Sequence, residues 1–221
     1  MVLDAVSNPV IRTPDGVDLT TIYDAPIGAT RTILVCHPHP EHGGAMTHPM
    51  LDAIAARQLA DGDAVMRFNF RGVGASTGTH GGGPAEVTDI ASVAAWIDEE
   101  AAPLGGIVGW SFGAAVSLIW QAETGSTVPY VGIAPPVDSP LTPALPDPES
   151  LLPARRTFII GERDQFIDAT ELEMFGERIG AATVRYETAD HFFIFRYDRL
   201  ADDVARALSD DPIPPERDRA R

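Results

Sequence analysis

The sequence predicts an α/β fold in which a mostly parallel, doubly wound sheet begins with an antiparallel hairpin. Short, almost uninterrupted apolar runs alternate with longer stretches of helical periodicity, which indicates a parallel sheet covered on both faces. Two runs of alternating polarity flank Pro14-Asp15-Gly16 near the start, a pattern typical of a hairpin. The length of 221 residues suits one domain.

The elements after the hairpin follow a regular order. Each apolar run has the length of a buried strand, and each stretch between them has apolar residues three or four positions apart. The predicted strands are Arg31–His37, Ala64–Phe70, Gly105–Trp110, Val128–Ala134, Arg155–Glu162 and Ala182–Glu187. The predicted helices are Met50–Asp61, Ala85–Ala101, Phe112–Glu123, Ala169–Gly180 and Tyr197–Leu208.

Two proline-rich segments show neither the strand pattern nor the helix pattern. Residues 134–156 contain seven prolines, so we expect a loop there with at most a short helix. Residues 210–221 combine prolines and charges with almost no apolar side chains. We therefore expect a single domain at residues 1–209, followed by a disordered tail.

Composition excludes several kinds of function. A formal net charge of −16 argues against affinity for nucleic acid or anionic membranes. All 16 basic residues are arginines, so a Schiff-base lysine, a phosphate-binding loop and a Ser–Lys dyad are excluded. The one cysteine, Cys36, lies in an apolar run and is expected to be buried. The sequence lacks the features of a signal peptide and of a membrane span, so we expect a soluble, cytoplasmic protein.

A serine between two glycines, Gly109-Trp110-Ser111-Phe112-Gly113, lies where a predicted strand meets a predicted helix. In this context, the motif predicts a nucleophile elbow, a sharp turn that exposes the serine hydroxyl at the carboxyl end of the strand. The amides at the start of the following helix then face the position of an oxyanion. Close packing alone would also favour these small residues. The strand-to-helix position favours catalysis.

A serine nucleophile needs a base, usually a histidine held by an acid. On this fold the chain order is Ser, Asp or Glu, His, and His191 is the only histidine after Ser111. The acid is expected after the preceding strand, and Asp164 has the most suitable position. The alternatives are Glu162, Asp168, which could instead cap a helix, Asp138 and Asp190.

Two backbone amides are candidates for the oxyanion hole. One belongs to Phe112, directly after the serine. The other belongs to His39, which lies between Pro38 and Pro40, two residues without an N–H group. The string His37–His42 is also similar to the H-x-H-x-D-H motif of metallo-β-lactamase-type zinc hydrolases. That alternative lacks the further downstream histidines and leaves the serine motif unexplained.

Five motifs together resemble the α/β-hydrolase superfamily, and in particular small bacterial hydrolases related to dienelactone hydrolase and prolyl oligopeptidase. They are His37-Pro-His-Pro40 with Gly43-Gly44, the turn Phe68–Ser76, the Ser111 motif, Gly161–Asp164, and Asp190–Phe193. The resemblance implies a Ser111–Asp164–His191 triad, oxyanion donors at His39 and Phe112, and neither metal nor cofactor. In the turn, Arg71 and Gly72 are interpreted as structural. Since the family inserts its lid after the strand that ends near Ala134, the proline-rich loop there implies no cap domain.

The expected activity is hydrolysis of small acyl esters through an acyl-enzyme intermediate, with a small-molecule substrate as the partner. Thioesters and small peptides could be cleaved by the same residues. A non-catalytic binding protein on this fold is the alternative from a different class. The sequence leaves the oligomeric state open.

Overall fold

The computed structural model describes residues 3–209 and 211–213. Within these ranges the strands are β1 Leu3–Ser7, β2 Val10–Arg12, β3 Asp18–Pro26, β4 Thr32–Cys36, β5 Ala64–Phe68, β6 Leu104–Trp110, β7 Tyr130–Ile133, β8 Arg156–Gly161 and β9 Ala182–Tyr186. The α-helices are α1 Pro49–Ala60, α2 Pro84–Glu100, α3 Phe112–Thr124, α4 Ala169–Arg178 and α5 Tyr197–Ser209.

The sheet confirms the predicted fold class. Its strand order is β1-β3-β5-β4-β6-β7-β8-β9, with β2 paired to β3. From β5 to β9 every neighbouring pair is parallel, whereas β1, β2 and β3 pair antiparallel, as the hairpin signal around Pro14-Asp15-Gly16 predicts. Strand β1 was not predicted, because its sequence Leu-Asp-Ala-Val-Ser shows neither an apolar run nor a strict alternation.

The hydrophobic core lies in two layers, one on each face of the sheet. Apolar residues of α2, α3 and α4 fill one layer, and those of α1 and α5 fill the other. Strands β4, β5, β7 and β8 are buried at every position, which explains their largely apolar sequences. Burial of each large side chain contributes about 1.5–3 kcal/mol, so this three-layer packing fixes the sheet.

The parallel strands all end at one edge of the sheet, and the loops that follow β4, β6, β8 and β9 meet there. The proline-rich segment between β7 and β8 contains one 3₁₀ turn, at Pro148–Ser150, and no α-helix. It therefore forms no lid over that edge.

The predicted disordered tail falls largely outside the described residues. Of it, the structure describes residues 211–213, where the Asp211 amide donates to the Arg206 carbonyl at 3.0 Å and Ile213 is half-buried against the core. No helix among the described residues is both long enough and apolar enough to cross a membrane.

Candidate active site

Ser111 occupies a strained turn between β6 and α3. Its backbone has φ 53° and ψ −117°, a conformation that costs a non-glycine residue about 1–3 kcal/mol. Hydrogen bonds hold the turn: the Ser111 amide donates to the Ile133 carbonyl at 2.7 Å, and its carbonyl accepts from Ala114 and Ala115 at 3.0 Å. Strain maintained in this way is typical of functional residues.

The two flanking glycines allow the close approach that the turn needs. A Cβ atom on Gly109 would lie 2.5 Å from the Ala114 Cα, and one on Gly113 would lie 2.4 Å from the His37 carbonyl oxygen. Neither position can hold a larger residue without movement of the backbone. Packing thus explains the glycines, but it does not explain the positive φ of Ser111.

His191 and Asp164, which are 27 positions apart, form a hydrogen-bonded pair. The Nδ1 atom of His191 lies 2.7 Å from Oδ2 of Asp164. The other carboxylate oxygen accepts the amides of Phe166 at 2.9 Å and Ile167 at 3.0 Å, and the Asp164 side chain is fully buried. Because a carboxylate only accepts, Nδ1 carries the proton, and Nε2 of the neutral ring remains free to accept one.

The alternative acids contact other groups. Glu162 pairs with Arg185 at 3.0 Å, and Asp168 caps α4 by accepting two of its first amides. Asp190 accepts the amide of a residue two positions later at 3.1 Å, and Asp138 is exposed. Among the acids considered from the sequence, only Asp164 has a hydrogen bond to His191 within the described residues.

Ser111 and His191 both line an open cavity of about 430 Å³ at the carboxyl edge of the sheet. Among the described residues, no arginine, aspartate or glutamate lies in the cavity wall, which is largely apolar. Its lining residues beyond this pair are Pro38, His39, His42, Gly43, Gly44, His48, Trp110, Pro136, Ser139, Leu141, Thr142, Phe166, Ile167 and Phe192.

Aromatic side chains surround the His191 imidazole. Ring centroids lie at 5.1 Å for Phe166, 5.6 Å for Phe192 and 6.0 Å for Trp110. Phe166 is 63% exposed at the rim, whereas Trp110 is buried. The sequence analysis missed these lining residues and His48, although Phe166 lies only two positions after Asp164.

The candidate oxyanion amides are those of Phe112 and His39. Neither donates a hydrogen bond to another group in the part of the chain that the structure describes. The loop around His39 is tightly turned, since a Cβ on Gly44 would lie 2.1 Å from the Pro38 carbonyl oxygen. The His39 side chain also holds the loop: Nε2 donates to the Leu141 carbonyl at 2.9 Å, and Nδ1 accepts the Glu41 amide at 3.2 Å.

His37 does not have the free nitrogen that the zinc-hydrolase alternative requires. It is fully buried, its Nε2 accepts the Phe70 amide at 3.0 Å, and its Nδ1 lies 2.6 Å from the Pro38 carbonyl oxygen. Burial lowers the pKa of His37 to about 4, so the ring is neutral near pH 7. Its ring therefore holds together the backbone segments that follow β4 and β5.

Arg71 has a structural environment, in line with its interpretation from the sequence. Its guanidinium donates to Asp89 of α2 at 2.7 and 3.0 Å and to Asp15 of the hairpin at 2.8 Å. Arg71 is buried and does not line the cavity. This ion pair joins the N-terminal hairpin to the helical layer.

No family model matches the chain. An uncharacterized protein of Rickettsia prowazekii (strain Madrid E) is 28% identical over 193 residues, covering 80% of this chain and 76% of that protein. A serine hydrolase without lid from Xanthomonas campestris superposes with a TM-score of 0.81 at 26% identity, covering 97% of this chain and 99% of the other. A serine hydrolase homologue from Coxiella burnetii gives 0.80 at 27% identity, covering 94% and 99%.

Proposed function

Because this chain belongs to the α/β-hydrolase superfamily and is a hydrolase, we propose that it is a serine carboxylesterase whose nucleophile is Ser111. The observation that carries the proposal is the 2.7 Å contact between His191 and a buried Asp164, on the wall of the cavity that holds the strained serine. A binding module needs neither the strain nor the paired acid.

The reaction has two acyl-transfer steps. His191 Nε2 takes the Ser111 proton as the hydroxyl oxygen bonds to the ester carbonyl carbon, and Asp164 holds the imidazolium that forms. The carbon–oxygen bond to the alcohol then breaks, and the leaving oxygen takes the proton from His191. His191 then takes a proton from water as the water oxygen bonds to the acyl carbon, the bond from that carbon to the Ser111 oxygen breaks, Ser111 takes the proton back from His191, and the carboxylic acid leaves. The His39 and Phe112 amides stabilise the oxyanion in both steps, each contributing about 3–4 kcal/mol.

The cavity supports an uncharged substrate. Among the residues that the structure describes, its wall offers aromatic, aliphatic and imidazole groups but no guanidinium to pair with a carboxylate or with the phosphates of a coenzyme thioester. The net charge of −16 adds a general repulsion for anions. Neutral esters with an apolar acyl or alcohol group therefore fit this site better than anionic substrates.

The absence of a lid predicts no increase in the rate of hydrolysis above the concentration at which a substrate forms micelles.

Labelling with a fluorophosphonate probe tests the assignment directly. The wild-type protein should be labelled at Ser111, and Ser111→Ala should lose the label. Ser92→Ala, which removes a hydroxyl from α2, is the matched control and should keep it. An unlabelled wild-type protein that is folded by circular dichroism would indicate a non-catalytic binding protein instead.

A further inference from the structure

A second group of polar side chains lies beside the candidate oxyanion loop. One potential metal-binding atom from each of His39, Glu41 and His80 lies within 4.8 Å of the other two. The rings of His39 and His80 have centroids 4.9 Å apart, and the His42 ring lies 4.6 Å from His39. Glu41 and His42 are exposed, so the group is open to solvent.

In both His39 and His80, one ring nitrogen forms a hydrogen bond with an oxygen atom of the protein. His80 Nδ1 lies 2.8 Å from Oε1 of Glu86, a fully buried carboxylate that also accepts the amides of Gly81 and Gly83 at 2.7 Å. His39 donates through Nε2 to the Leu141 carbonyl. Metal-binding histidines almost always donate their other N–H to a carboxylate or carbonyl in this way. The arrangement leaves the lone pair of His80 Nε2 for a ligand, whereas His39 Nδ1 must give up the hydrogen bond that it accepts from the Glu41 amide at 3.2 Å.

From this geometry we propose that His39, Glu41 and His80 form a binding site for a divalent transition-metal ion, with zinc as the representative ion. Two imidazole nitrogens and one carboxylate oxygen suit zinc, copper, nickel or iron, whereas magnesium and calcium prefer oxygen ligands. The ion takes no part in the bond-making and bond-breaking steps of ester hydrolysis.

The site is coupled to the candidate active site through His39. An ion on Nδ1 replaces the 3.2 Å hydrogen bond from the Glu41 amide. The same loop positions the His39 amide for the oxyanion, so binding of the ion moves that donor and slows hydrolysis. This consequence rests on the proposed function, but the binding of the ion does not.

Isothermal titration calorimetry with zinc chloride tests the site. The buffer should not chelate zinc, and the protein should carry no histidine tag. We expect one zinc ion per chain and no binding of magnesium chloride under the same conditions. His80→Gln and Glu41→Gln should each weaken zinc binding by about tenfold to a hundredfold. Glu123→Gln, which removes an exposed carboxylate from α3, is the matched control and should bind zinc as the wild-type protein does.

Hydrolysis of an activated ester provides the second readout. For each protein, the rate of hydrolysis with zinc is compared with its rate in the presence of a chelator. In His80→Gln, the zinc concentration that halves the rate should rise by the same factor as the dissociation constant for zinc. Wild-type affinity for zinc in both variants, or no binding to the wild-type protein, would overturn the site. Zinc bound at the site with no change in rate would overturn its coupling to hydrolysis. A protein that binds zinc but cleaves no ester would contradict the proposed function alone.

Discussion

The molecule contains two histidine–carboxylate pairs of nearly the same geometry. His191 lies 2.7 Å from Asp164, and His80 lies 2.8 Å from Glu86. Both carboxylates are fully buried and each also accepts two backbone amides. They differ in what surrounds the second ring nitrogen. His191 lines the cavity with Ser111, whereas His80 lies against His39 and Phe112.

This difference teaches that a paired acid does not by itself identify a catalytic base. The acid fixes the tautomer and orientation of the ring, and the neighbour of the free nitrogen decides the chemistry. Beside a strained serine hydroxyl, the pair can accept a proton. Beside a second imidazole and an exposed carboxylate, the same pair can bind a cation.

Removal of the nucleophile gives the largest expected effect. Ser111→Ala should lower kcat on an activated short ester by about a millionfold, equivalent to about 8 kcal/mol, if serine, histidine and acid act as a unit. Stopped-flow assays of the wild-type protein and long-time assays of the variant, both on a p-nitrophenyl ester, measure the two kcat values. A rate within tenfold of wild type would mean that another group attacks the ester.

Exchange of each acid for its amide compares the two pairs directly. Asp164→Asn should lower kcat by about ten-thousandfold, because the amide presents an N–H to Nδ1 and favours the wrong tautomer of His191. Glu86→Gln should lower kcat by less than about tenfold and instead destabilise the protein by about 1–3 kcal/mol through its buried hydrogen bonds. Kinetics and urea unfolding of both variants provide the measurements. Equal losses of kcat would remove the distinction between the pairs.

A methyl group at the elbow should weaken the fold and the site together. Gly113→Ala places its Cβ 2.4 Å from the His37 carbonyl oxygen, and the backbone shift should cost about 1–3 kcal/mol of unfolding free energy. Gly28→Ala is the matched control, because no atom lies within 4 Å of its added Cβ and only its positive φ is strained. Chemical denaturation should show a loss of about 1–2 kcal/mol there, from the positive φ alone. A loss at Gly28 that exceeds the loss at Gly113 would contradict the packing argument.

The smallest expected effect concerns the aromatic side chains that surround His191. Phe166 is 63% exposed and contacts His191, so Phe166→Ala should cost little stability. It should raise KM for an aryl ester by about threefold to tenfold, with kcat nearly constant, since the contact binds substrate and transition state alike. A fall in kcat at constant KM would instead assign Phe166 to positioning of the imidazole.

Much of the fold could be predicted from local patterns. The apolar runs of β4 and β5 and the hairpin at Pro14-Asp15-Gly16 lie where the sequence places them, because buried strands and tight turns have short-range signatures. The strained turn at Ser111 was predictable for the same reason, since five adjacent residues specify it. The segment of β1 lacked such a signature.

The candidate site was harder to predict from the sequence than the fold. Asp164 ranked first among several acids, but the direction of each carboxylate depends on loop paths and on competing partners such as Arg185 for Glu162. The aromatic rings around His191 come from the end of β6 and from two separate loops, so no single motif contains them.

The sequence by itself determined the order of strands and helices after β1, the elbow at Ser111 and the histidine after it, since periodicity and contiguous motifs are local properties of the chain. Only the tertiary structure decided which acid contacts His191, and that His80 lies beside His39, 41 positions earlier in the chain. Contacts between distant segments follow from how the layers pack and where the loops cross. Packing of that kind depends on all the side chains together rather than on any one stretch of sequence.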